Sequence, residues 1–459
     1  MKFQVKRIAA VAALLALAAC SQMPKYDRPA APVAGAFPHP GAAAGTAAAD
    51  LEWQNFFGDP QLRALITRAL RANRDLRVAV LNIEQARAQY DIRRADQLPT
   101  VGVTASGSRA PNASGGTTQS YTVGIAFSAW ELDLFGRIAS LSEAALAQFL
   151  ATEEGRKAVQ VSLVANIGNT WLNLVADEAQ LALTRQTLQT RDESLRLTRM
   201  RFEAGASSEL DFRQAQSLAE TARVALAQQQ RQRALDLNAL TLLVGEPLPP
   251  DLRTDADIAA VRLPDLPAGT PSEALLRRPD VRQAEQQLMA ANANIGAARA
   301  AFFPRISLTA GLGTVSSELE GLFKSGSWGV TVAPSLLAPI FDAGRNRAGL
   351  ASAEAGRDIA IAQYERSIQS AFRDVSDALA GRAYYGDQLQ SQRNVVDAES
   401  ARYRLSELRY RNGVANYLEL LDAQRSLFTA QQSLIQAQLA TLQNQVTLYR
   451  ALGGGWTAP

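Results

Sequence analysis

The sequence predicts an α+β membrane protein made of two tandem structural repeats: a trimeric twelve-stranded β-barrel, four strands from each chain, continued by long α-helical coiled coils. Three observations carry this reading. The second half of the chain repeats landmarks of the first at a nearly constant offset, two proline-free stretches far exceed ordinary helices, and each repeat holds two segments of polar/apolar alternation.

The chain opens on an export address. Lys2, Lys6 and Arg7 precede an apolar run from Ile8 to Ala19. At about 12 residues it suits a signal peptide and falls short of the roughly 20 that a spanning helix needs. The run ends Leu17-Ala18-Ala19-Cys20, which resembles a bacterial lipobox, where the thiol is acylated and the chain is cut before it. Residues 1–19 are then the signal peptide, and Cys20 carries a covalent lipid that holds the mature chain in outer-membrane lipid at about 0.8 kcal/mol per buried CH₂. An ordinary cleavage site beside a chance cysteine is the alternative. Ser21 stands where aspartate would resemble an inner-membrane retention signal. The Pro/Ala/Gly-rich remainder of 20–60 is expected to be an extended arm.

Asn73-Arg74-Asp75-Leu76 matches Arg278-Pro279-Asp280-Val281, and Pro99-Thr100-Val101 matches Pro304-Arg305-Ile306, both at an offset of 205. Phe135-Gly136-Arg137 matches Ala343-Gly344-Arg345, and Arg201-Phe202-Glu203-Ala204-Gly205 matches Arg409-Tyr410-Arg411-Asn412-Gly413, at 208. Repeat 1 covers 61–245 and repeat 2 covers 273–452, with 246–272 between them and 453–459 as a tail.

None of the 19 prolines lies between Pro111 and Pro247 or between Pro339 and Pro459. Proline costs about 3 kcal/mol inside a helix, so both gaps read as helical. Gly205 and Gly413 divide them, each closing a helix where the chain reverses. The first arms, Arg137 to Phe202 and Arg345 to Tyr410, run about 66 residues, or roughly 100 Å. A returning arm from about Glu209 to Val244, and an opening helix from about Gln61 to Gln97, each cover roughly half that length. From Leu420 to Ala451 apolar and small residues alternate at spacings of three and four. That is a heptad seam permitting close helix approach, which a plain helix bundle would also show.

The strand segments pair Val101, Val103, Ala105 against Gly102, Thr104, Ser106, and Tyr121, Val123, Ile125, Phe127 against Thr122, Gly124, Ala126, Ser128. Ile306, Leu308, Ala310, Leu312 and then Trp328, Val330, Val332 repeat the pattern in the second unit. Such alternation with terminal aromatics suits outer-membrane strands, and equally a half-buried sheet packed on helices. If the strands span lipid, four per chain leave edges that hydrocarbon does not tolerate, so chains must share a barrel. Two chains give a filled barrel, whereas three leave a lumen.

Composition narrows function by exclusion. His39 and Cys20 are the only histidine and cysteine, so no Ser-His-Asp or Cys-His arrangement, ordinary zinc site or internal disulfide fits. A net charge of +3 spread without basic blocks argues against nucleic acid as a partner.

Trp130 to Arg137 at the first strand-to-helix junction, Arg277-Arg278-Pro279-Asp280-Val281, Pro339 to Arg345 at the second junction, and Ala451-Leu452-Gly453-Gly454-Gly455-Trp456 together resemble the outer membrane factor (TolC-like) family, and within it the OprM-like lipoproteins of resistance-nodulation-division (RND) efflux systems. The resemblance implies a homotrimer with a periplasmic helical tunnel and an equatorial belt that includes 246–272. It implies a passive exit channel for drugs or other small molecules, not an enzyme, working with a periplasmic adaptor and an inner-membrane RND pump and needing no cofactor beyond the lipid on Cys20. It places a periplasmic gate at the hairpin tips, where Tyr410, Leu418, Asp422 and Arg425 match the family's constricting residues. Glu419, Glu209 and Asp211 are further acidic candidates. Three symmetry-related carboxylates around a narrow bore are expected to raise each other's pKa. The same fold could serve metal-ion export or type I protein secretion. A structural periplasmic coiled-coil lipoprotein, its β segments packed on the rod, is the reading from a different class.

Overall fold

A computed structural model describes residues 21–42, 45–112, 115–252 and 257–456, without the side chains of residues 272 and 273. The signal peptide and Cys20 lie outside the described residues. The helices are α1 (Trp53–Phe56), α2 (Pro60–Ala72), α3 (Arg74–Ala95), α4 (Arg137–Glu203), α5 (Glu209–Val244), α6 (Pro271–Leu276), α7 (Pro279–Ala300), α8 (Arg345–Arg411) and α9 (Tyr417–Ala451). The strands are β1 (Gly102–Pro111), β2 (Thr117–Leu132), β3 (Arg305–Ser316) and β4 (Trp328–Leu337). Among the described residues, no helix is long and apolar enough to cross a membrane.

The chain forms two compact units. One gathers the described residues up to Ala30 with Leu81–Glu154 and Arg282–Arg366. Its centre is a four-stranded antiparallel sheet in the order β1-β2-β3-β4. Register puts Val103, Ile125, Leu312 and Val330 in one row across the sheet, all more than half exposed. The neighbouring row, on the other face, is Thr104, Gly124, Gly313 and Gly329. A Cβ on Gly124 would lie 2.6 Å from the Leu312 carbonyl oxygen, so the close approach of β2 and β3 requires glycine there. The alternation read from the sequence is therefore a real two-faced sheet, open at β1 and β4. A bulge between Phe127 and Trp130 interrupts the β2–β3 ladder. There Ala129 adopts φ 52° and its N–H donates to Thr309 Oγ1 at 3.0 Å. Below it, Glu131 accepts from Arg137 at 2.7 Å and from Arg305, fastening strand ends to the start of α4. The N-terminal arm is seated on α7: Asn292 donates to the Pro24 carbonyl at 2.8 Å, and Arg28 and Tyr26 donate to Glu285 at 2.6 and 3.0 Å.

The second unit gathers Ala31–Val80, Gly155–Val281 and the described residues from Ser367 onward. The single opening helix expected from Gln61 to Gln97 is in fact two. Asn73 leaves the helical region (φ −62°, ψ 132°), and its side-chain oxygen accepts from the Leu76 N–H at 2.9 Å. That bond recaps the chain as α3, the usual work of asparagine at a helix start. The long arms α4 and α8 are both 67 residues, in line with the sequence reading. In α9 the small seam residues Ala423, Ala430 and Ala437 are all buried. Asn444 of α9 donates to the Ala378 carbonyl of α8 at 2.9 Å.

An aromatic block also holds this unit. Phe56 stacks on Tyr449 at 4.0 Å between ring centroids, and the Tyr449 hydroxyl donates to the Leu51 carbonyl at 2.5 Å. Gly454 lies flat against the Tyr449 ring, where a Cβ would come within 2.2 Å. This is the structural content of the Gly453-Gly454-Gly455 run.

Candidate functional site

Both hairpin turns are built alike. Gly205 and Gly413 each take φ 72°, and behind each glycine a 6→1 bond closes the helix, Ala206 N to Arg201 O at 2.7 Å and Val414 N to Arg409 O at 2.9 Å. Only a residue free to adopt positive φ closes a helix this way without strain. The chain then re-enters a helix through a side-chain cap. Ser208 and Asp211 form a reciprocal capping box, and Asn416 accepts from the Glu419 N–H at 2.9 Å.

Chemistry at the tips is unequal between the repeats. In repeat 2, Asp422 accepts from Arg425 at 2.6 Å and from Arg402 on the facing helix. Arg402 also reaches Glu399 at 3.2 Å. The bond from Arg402, and then that from Arg425, hold the Asp422 carboxyl below the usual aspartate range. Within one chain this is the reverse of the upward shift expected for a ring of carboxylates. The opposite charges lie closer than any symmetry mate is needed to supply. Glu419 pairs with Arg409 at 3.2 Å. Each arginine stands before the Gly413 turn about as far as its carboxylate stands after it.

In repeat 1, Ser194 takes the place of Arg402 at the 208-residue offset and shares a 2.9 Å hydrogen bond with the Tyr417 hydroxyl. Tyr417 belongs to a buried cluster with Ala215, Leu420 and Leu421, against which Tyr410 packs. Arg201 donates to the Tyr410 hydroxyl at 3.0 Å. Leu418 projects outward, 58% exposed.

The structure thus brings Tyr410, Asp422, Arg425 and Glu419 into one set of contacts. Glu209 pairs only with Arg213 of its own helix at 3.3 Å, and Asp211 is occupied by the cap. Arg402, Arg409, Ser194 and Tyr417 were not singled out from the sequence. Mirrored spacing about the glycine turn was the signal that could have found the two arginines. Nothing in the sequence marks Ser194.

Comparison with known proteins agrees with this architecture. The profile of the outer membrane efflux protein family matches residues 65–246 and again 270–454. The chain is 47% identical over 452 residues to the antibiotic efflux pump outer membrane protein ArpC of Pseudomonas putida, covering 96% of this chain and 93% of that protein. Identity and coverage are the same for the toluene efflux pump outer membrane protein TtgC of a second Pseudomonas putida strain. The crystal structure of the open state of the Neisseria gonorrhoeae MtrE outer membrane channel superposes with a TM-score of 0.89 at 42% identity, covering 95% of this chain and 99% of that one. Two repeats of strand pair and helical hairpin, matched twice by one profile and along nearly their whole length by these proteins, establish that the chain belongs to the outer membrane efflux protein family.

Proposed function

We propose that the chain is the passive exit duct of a tripartite efflux system, gated at the hairpin tips. Three copies close their open β1 and β4 edges into one barrel in the outer membrane, because unpaired strand edges are costly in hydrocarbon. The hairpins assemble into the periplasmic tunnel. An inner-membrane pump supplies the energy and a periplasmic adaptor engages the tips. Relatives named for toluene and antibiotic efflux support small organic molecules as cargo. Cys20 is proposed to carry the lipid anchor, as a tether that takes no part in conduction.

The observation that carries the gate is the bridge from Arg402 on α8 through Asp422 to Arg425 on α9. It holds the last stretch of the hairpin together by charge where the helix surfaces are exposed, so it can break without unpacking a core. Single-channel conductance in planar bilayers tests it. Asp422→Ala and Arg402→Ala are each expected to raise the small conductance of the parent several-fold. Well-inserted variants that conduct no better than the parent would refute the gate. In cells lacking their own outer-membrane channel, expression of the chain is expected to restore toluene tolerance.

A further inference from the structure

Arg191 of α4 is a cation buried without a counter-charge. It is 4% exposed, donates once to the Leu218 carbonyl at 3.1 Å, and lies with its guanidinium carbon 5.0 Å from the centre of the Phe428 ring. Its Nε–H is buried with no acceptor, and among the described residues no carboxylate is paired with it. Burial pushes its pKa below the ordinary arginine value, but a guanidinium stays charged in proteins. A buried charge left alone is strongly destabilising, so something is expected to answer it.

Arg191 lines a cavity of about 160 Å³ together with Thr187, Tyr403, Gln424 and Gln431, and no acidic residue lines it. Gln424 adds a second unanswered group, its buried Oε1 having no partner. Since the amide makes no other hydrogen bond among the described residues, turning it over presents its NH₂ to the cavity at no loss. The lining then offers a guanidinium, an amide and two hydroxyls. At roughly 30 Å³ per water molecule, the space accepts a small ion with part of its hydration shell. Water alone would satisfy the orphaned N–H and leave the charge uncompensated.

We propose that this cavity is a binding site for a small monovalent anion, a halide or a short carboxylate taken from solution, held by Arg191 and Gln424. Tyr403 follows Arg402 and Gln424 lies two residues after Asp422, so the ion ties α4 to α8 and α9 directly behind the gate bridge. Anion occupancy thereby stiffens the closed tip.

The test uses the full-length protein purified in detergent, with bromide as the probe. Crystals grown in sodium bromide are expected to show an anomalous peak in contact with Arg191. Apparent melting in sodium bromide is expected to exceed that in sodium gluconate, whose anion is too large for the cavity, by roughly 2–4 °C at equal ionic strength. Arg191→Met abolishes that difference and Arg191→Lys keeps part of it. Bromide peaks only elsewhere, or an unchanged bromide-gluconate difference in Arg191→Met, would overturn the site. Should Arg191→Met fail to fold, the bromide crystals of the parent decide alone. A carboxylate from a neighbouring subunit filling the cavity would appear there as an empty bromide map, and would equally defeat the proposal.

Discussion

Asn73 and Arg278, at equivalent positions in the two repeats, do the same job with different chemistry. Asn73 donates to the Leu243 carbonyl at 2.8 Å, and Arg278 donates to the Ala451 carbonyl at 2.9 Å. The two acceptors lie near the ends of α5 and α9, where helix carbonyls lack intrahelical partners. Gly245 and Gly453 follow at φ 80° and 82°. Arg278 does more than Asn73, because it also binds Asp280 in a two-pronged pair at 3.0 and 2.7 Å and approaches Asp374 at 3.4 Å.

Removing Arg278 therefore strands two carboxylates as well as a carbonyl. Arg278→Met is expected to cost about 3–5 kcal/mol, Asn73→Ala about 1–2 kcal/mol, and Arg277→Ala, whose pair with Asp50 is exposed, less than about 0.5 kcal/mol. Apparent melting temperatures of the purified variants should fall in that order. Equal losses at positions 73, 277 and 278 would show that the repeated carbonyl contact is incidental.

Local rules made much of this molecule readable in advance. Glycine turns, proline gaps and the offset of the repeats report backbone preference along the chain, and they located 67-residue arms and both reversals. Alternation located the strands for the same reason. What stayed hidden depends on contacts between distant segments. The break at Asn73 needs the Leu243 carbonyl, the cradle for Tyr449 needs Gly454 and Phe56, and the bulge at Ala129 needs Thr309. At the gate, Asp422 was legible from its place in the family pattern. Its partner Arg402 was not, since twenty residues and a turn separate them in sequence.

The acidic residues near the tips are expected to separate by role. Asp211→Ala removes half of a capping box and should lower stability by about 1 kcal/mol while leaving conductance unchanged. Glu209→Gln should change neither. A conductance gain in either variant as large as that in Asp422→Ala would move the gate to repeat 1.

For Asp422 itself, a carboxyl held below its ordinary pKa favours the paired state at every pH above the ordinary value and loses that support as pH falls through the depressed one. The parent channel is accordingly expected to conduct equally from about pH 8 to about pH 5 and to open only below roughly pH 4. A rise between pH 7 and 5 would implicate a different group.

Asp177 shows the opposite sign. Burial, then the hydrogen bond and charge of Asp236, and finally the charge of Glu178 raise its pKa to about 7, against the pull of Arg233. The folded state therefore holds a proton that the unfolded chain releases nearer pH 4. Stability is greatest below the unfolded pKa and is lost as pH rises through about 7. Asp177→Asn, which mimics the protonated form, is expected to melt about 2–4 °C higher than the parent at pH 8 and no higher at pH 4. A variant advantage that is the same at both pH values would mean that packing, and not the proton, is responsible.

The sheet also contains a template for its own closure. Within the chain, β2 meets β3 with Ala126 opposite Gly311, and a Cβ built on Gly311 would lie 3.0 Å from that of Ala126. Matching the two hairpins by their registers, Gly102↔Ala126 with Ser307↔Ser335, makes β4 the counterpart of β2 and β1 the counterpart of β3. If β4 of one copy meets β1 of the next as β2 meets β3, Ser335 falls opposite Ser106 of the neighbouring copy, and both lie on the small-residue face. Ser335→Cys combined with Ser106→Cys is then expected to yield linked dimers and trimers under mild oxidation, since facing Cβ atoms in such pairs suit a disulfide. Thr104→Cys or Ser108→Cys as the partner shifts the pair by two residues on the same face and should link far less. Equal linking at positions 104, 106 and 108 would indicate strands sliding or lying unpaired, and linking strongest at 104 or 108 would replace the register while keeping the closed barrel.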